Sequence, residues 1–160
     1  LAGQDKPGSG WGKSTEREVA RRSIYIFVKR SLAVPELELL DVPDTAASCE
    51  QRMVSTTGPQ ALTFLNGEFT RKQAQHFAAR LQREAGGEAR TQILRAFELA
   101  MSRPPSAKEF NEALQFLISQ QRQIEADTCE TKSGSLDSRQ RALAAFCLVL
   151  LNTNEFFYLN

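Results

Sequence analysis

A single histidine, a single tryptophan and a near-cancellation of charge set the first limits on this chain of 160 residues. With His76 alone, any Ser-His-Asp or Cys-His pair for nucleophilic catalysis must run through that one side chain. Lys and Arg number 20 against 19 Asp and Glu, and the resulting +1 provides no general field for nucleic acid or an anionic surface. Long apolar runs are missing too. The longest, Ala142 to Leu151, spans ten residues, against the roughly 18 that a membrane-crossing helix needs. The three cysteines, Cys49, Cys129 and Cys147, match the spacing of neither a zinc site nor a haem attachment. One bridge with a leftover thiol, Cys49 to Cys147 being one such pair, and three free thiols both fit the count.

What is present suits a globular domain. Hydrophobic residues make up 41% of the chain, and a chain of this size buries roughly two-thirds of its unfolded surface. The first residues go to Gly3, Pro7, Gly8, Ser9, Gly10 and Gly12, so residues 1–14 read as a linker and residues 15–160 as one helical domain. The start at Leu1 reads as that of a piece of a larger protein.

Helical periodicity dominates after residue 57. Gly58 and Pro59 open a short helix that carries Leu62, Phe64 and Leu65 and stops near Asn66 and Gly67. Ala74, Phe77, Ala78, Leu81 and Ala85 then fall at steps of three and four until Gly86 and Gly87 close the segment. Ile93, Ala96, Phe97, Ala100 and Met101 repeat the pattern up to Arg103, where Pro104 and Pro105 forbid continuation. Ser106 and Glu109 form a capping box for a helix through Phe110, Ala113, Leu114, Leu117, Ile118 and Ile124. Residues 127–138 lack any apolar period and read as a loop. The last helix starts at Asp137 or Ser138 and is apolar all round its second half, the signature of a central helix covered by neighbours. The aromatic tail Glu155 to Leu159 is expected to fold back onto the bundle. Upstream, Thr15 and Glu18 make a second capping box, for a helix burying Ala20, Ile24, Phe27, Val28 and Leu32, although Ile24 to Val28 also suits a strand. Residues 33–56, with Pro35 and Pro43, read as a long wrapping loop. The expected fold is therefore all-α, an irregular bundle of five or six helices with that loop on its N-terminal side.

Several stretches carry a family resemblance. Arg21 to Tyr25, Lys29 and Arg30, Leu40 to Asp44, Ser48 and Cys49, and Ser55 to Leu62 follow one order. Arg103, Pro104 and Pro105, then Leu150 to Phe156 and Tyr158, continue it. Over residues 15–160 the chain resembles the C-terminal domain of unknown function of large planctomycete proteins that often carry an upstream planctomycete-type cytochrome c segment. The resemblance implies an extracytoplasmic location and upstream domains of the same protein as partners. It assigns no activity. Leu40 stands where that group has an aromatic residue, and no CxxCH occurs, so any haem chemistry belongs upstream.

The candidate structural or binding cluster is Arg21, Arg22, Asp41, Asp44 and Cys49. Asp41 and Asp44, near Glu38 and Glu50, offer oxygen ligands for calcium, but they lack EF-hand spacing. The preceding arginines are ready partners, which makes an Asp-to-Arg network pinning the loop the more economical reading. His76 shares a helix face with Gln73 and Arg80, away from the apolar stripe, and reads as solvated. Ser55 to Gly58 could cradle an anion, but helix capping explains them as well. Trp11, Tyr25, Phe156, Phe157 and Tyr158 could stack on a sugar ring. The sequence thus points to a scaffold or interaction domain with no cofactor, catalytic residue or metal of its own. A carbohydrate module and a docking accessory to a cytochrome segment are the alternatives.

Overall fold

Thr15 and Glu18 close on each other as their spacing requires. The Thr15 amide donates to the Glu18 carboxylate at 2.8 Å, and the Glu18 amide donates back to the Thr15 hydroxyl at 3.4 Å. A computed structural model of the chain describes residues 15–19, 21–25, 37, 40–43, 48–51, 58–128 and 137–157. The chain divides into two units, Leu1–Val54 and Ser55–Asn160. Among the described residues there is no strand.

In the first unit the capping box starts a single turn, α1 (Glu16–Val19), followed by a 3-10 turn at Ser23–Tyr25. This corrects the expectation of one helix with Ile24 on its buried face, since Ile24 is 77% and Tyr25 73% exposed. One turn is far below the length at which a helix sustains itself, and the β-branched and aromatic residues that follow do not favour extension. Further along, the amides of Leu40 and Val42 both donate to the Leu37 carbonyl at 3.1 Å. That tight turn puts Asp41 in the left-handed region at φ 54°, where Asp is among the best tolerated side chains. Most of the expected wrapping loop, and Phe27, Val28 and Leu32, lie outside the described residues.

The described residues of the second unit form five helices and a final turn: α2 (Gly58–Asn66), α3 (Glu68–Ala85), α4 (Ala89–Met101), α5 (Ala107–Thr128), α6 (Ser138–Leu151) and α7 (Asn154–Phe157). The break between α2 and α3 is cramped. The Gly67 amide donates to the Thr63 carbonyl at 2.8 Å, and a Cβ at Gly67 would lie 2.6 Å from that same oxygen, so only glycine fits without a shift. Gly86 ends α3 at φ 67°, a conformation that costs a side chain strain. Its carbonyl accepts from the Gln92 amide at 2.5 Å, which gives that buried side chain a partner at the α3–α4 corner. The capping box at α5 forms as expected: the Ser106 amide donates to Glu109 Oε2 at 2.7 Å, and the Glu109 amide to Ser106 Oγ at 3.3 Å.

Helix α6 is the centre of this unit, as its all-round apolar composition demanded. It packs most extensively on α3 and α5, and also on α4 and α7. Ala142, Leu143, Phe146, Cys147 and Leu150 are buried on it. They meet Ala74, Ala78 and Leu81 of α3, Ile93, Ala96 and Phe97 of α4, and Ala113 and Leu117 of α5 in one cluster. Small residues at Ala74, Ala78 and Ala142 fit the close approach of α3 to α6. The start of α6 is tied down twice, by Ser138 Oγ donating to Glu125 at 2.8 Å and by Arg139 donating to the Gly87 carbonyl.

Candidate functional site

Of the residues singled out upstream, Arg21, Arg22, Asp41 and Cys49 are among the described residues. Arg21 and Arg22 are exposed just past α1, Asp41 is held half-buried by its turn, and Asp44 lies outside the described residues. The Cys49 thiol is exposed and donates to the Gln51 carbonyl at 3.2 Å. Cys49 and Cys147 are both free, so the bridge between them is not formed; Cys129 lies outside the described residues. Burial pushes the Cys147 thiol up to about 12, which makes it a small, unreactive core group. His76 is exposed on α3, as its helix face required. Among the described residues no three His, Cys, Asp or Glu side chains gather as a metal site. Ser55 to Thr57, Trp11 and Tyr158 lie outside the described residues.

The strongest constellation lies elsewhere, around Arg103 at the end of α4. Ser102 takes the left-handed conformation at φ 56°, and Pro104 and Pro105 follow, so the chain turns sharply and presents the Arg103 guanidinium between three elements. Its Nη1 and Nη2 donate to Glu109 at 3.0 and 2.7 Å, and its Nε and Nη2 to Glu155 at 2.7 and 2.8 Å. Nη1 also reaches the Pro104 carbonyl at 3.2 Å. All five N–H donors of the guanidinium are thereby used. The group also lies 5.8 Å from the Phe97 ring centroid. Sequence reasoning placed Arg103 and Glu155 in the family pattern and Glu109 in a cap. It missed that they meet, because 52 residues separate Arg103 from Glu155.

The cluster shifts its own titration. Hydrogen bonds from Arg103, and then from the Ser106 amide and hydroxyl, lower Glu109 from 4.5 to about 2. Arg103 lowers Glu155 as well. A carboxylate depressed on folding stabilises the native state above its unfolded value, and that contribution is lost as pH falls from about 4.5 towards 2. Glu109→Gln keeps an acceptor for the Ser106 cap but removes the charge. With Glu109 34% and Arg103 37% exposed, solvent screening limits the expected loss at neutral pH to about 1 kcal/mol. Melting midpoints measured from pH 7 down to pH 2 are expected to fall less steeply in Glu109→Gln than in the parent. Parallel curves would contradict the assignment.

Beside this cluster runs an open groove of about 550 Å³, lined by Thr91, Leu94, Arg95, Glu98, Ser102 and Pro104 along with Arg103. Its arginines and the Thr91 hydroxyl are already engaged. Arg95 pairs with Glu84 at 2.8 Å and with Glu98 at 2.7 Å, and the Thr91 hydroxyl bonds to the Ala85 and Glu88 carbonyls at 2.9 Å each. Neutralised guanidinium groups attract an added anion weakly. The arrangement is suited to holding α4, α5 and α7 in register.

A family model described as PSD1, a protein of unknown function (DUF1553), matches residues 3–117. No curated protein and no solved structure matches the chain. The match begins upstream of residue 15 and stops inside α5, before the central helix α6 and before Glu155. It covers well over half of the sequence, and on that ground the chain belongs to the PSD1 family of proteins of unknown function (DUF1553).

Proposed function

We propose that this chain is a non-catalytic scaffold or interaction domain of a larger, extracytoplasmic protein of planctomycete type, that it docks upstream domains of that protein, and that it uses no cofactor of its own. The observation that carries the reading is the saturation of Arg103, whose guanidinium donates to both Glu155 and Glu109. Residues spent on one another hold a shape and leave nothing over for chemistry. The free Cys147 in the core and the exposed, isolated His76 are consistent with this.

A docking role beside a cytochrome c segment is the second reading, and it is favoured by the exposure of Arg21 and Arg22. Two adjacent exposed guanidinium groups can steer an acidic partner at low ionic strength. Thermal melts with divalent cations, oligosaccharides and common cofactors test the main reading, because any ligand of the native state raises the midpoint. The expected result is an unmoved midpoint throughout. A rise with calcium or a glycan would replace the scaffold reading with a binding module using Asp41, Asp44 or the aromatic tail. Salt-sensitive binding of an added cytochrome c segment, lost in Arg21→Glu/Arg22→Glu, would establish the docking role.

A further inference from the structure

We propose that α7 is a strap that holds α2 on the bundle, so that opening the strap releases α2 and α7 together while α3 to α6 stay folded. Helix α2 has nine residues, too few to persist without tertiary support. Its support is narrow: it packs on α3, Gln60 is its one buried residue, and its Phe64 ring lies 4.4 Å from the Phe157 ring. The opposite face of α2 carries Leu62 and Leu65, which are 58% and 45% exposed. The turn α7 contributes no buried residue. It is held by the Arg103 to Glu155 pair, by its packing on α4 and α6, and by the contact of Phe157 with Phe64.

None of the core residues lies on α2 or α7. Undocking the two elements therefore leaves the α3 to α6 core intact, whereas moving any of the four central helices breaks it. The ties of the strap are also of the weak kind. Arg103 and Glu155 are 37% and 47% exposed, and an ion pair in that setting is screened by water. Segments with few buried contacts open well before the global transition. Phe157 touches α2, and Glu155 in the same turn is anchored to the α4–α5 corner. That turn therefore couples the position of α2 to the state of Arg103.

Amide hydrogen exchange on the full chain tests this, comparing the parent with Phe157→Ala and with Glu155→Gln. Phe157→Ala is expected to speed exchange across residues 61–66 about tenfold, with α3 to α6 unchanged as an internal reference. Glu155→Gln, a surface change that leaves the ring contact in place, is expected to accelerate the same amides by a smaller factor. Unchanged protection of α2 in both variants would overturn the proposal. So would a loss of protection spread evenly over α2 to α6, because that pattern means the strap belongs to the global fold.

Discussion

A chain ending at Leu117 is expected to lose its cooperative thermal transition, even though it keeps everything the family model matches. The cut removes the second half of α5 and all of α6 and α7. Among the described residues, five of the thirteen in the core, Ala142, Leu143, Phe146, Cys147 and Leu150, sit on α6. Helices α3 and α4 would then keep only Ala113 and Leu117 of α5 as outside cover, and lose the α6 side chains packed against Ala74, Ala78, Leu81, Ile93 and Phe97. Amphipathic helices draw most of their stability from such packing and little from propensity. The shortened chain should show reduced helicity by circular dichroism, a broad melt and strong binding of a hydrophobic dye. A sharp two-state melt close to that of the full chain would mean that α2 to α5 form a self-sufficient bundle and that α6 is an addition to it.

The prediction also separates what pattern can show from what packing adds. The two capping boxes were legible because a Ser or Thr and a Glu three residues on can reach each other only through a helical turn, and both sets of bonds are made. The central role of α6 was legible because a helix apolar all round has no face to offer to water. The fate of Ile24 was not, since a capping box marks where a helix starts and says nothing of how far it runs. Arg103, Glu109 and Glu155 were readable as separate marks in the sequence. Their meeting depends on the turn at Ser102 and on the return of the chain after Asn152, and no local spacing encodes a contact across 52 residues. The upstream candidates rest on residue type alone. The left-handed turn at Asp41 gives that residue a structural use that composition could not reveal.

Phe146→Ala is expected to be the most damaging single substitution, at about 3–5 kcal/mol. Phe146 is 4% exposed at the middle of α6, with the Phe97 and Phe116 ring centroids each 6.5 Å away. It links α4 and α5 through one side chain. Truncation removes the burial of the ring and leaves a cavity that three close-packed helices cannot collapse to fill. The tilted ring pairs, at 41° and 46°, add about 0.5–1.5 kcal/mol each beyond area burial. Phe146→Leu keeps most of the volume and should cost about half as much. A double-mutant cycle of Phe97→Leu with Phe146→Leu should return a favourable coupling of about 0.5–1 kcal/mol by urea denaturation, because the two rings touch the same space. A cost below about 1 kcal/mol for Phe146→Ala would mean that the core repacks freely around α6. In that case α6 could not be the element that holds α4 and α5 in place, and with them the position of Arg103 between Glu109 and Glu155.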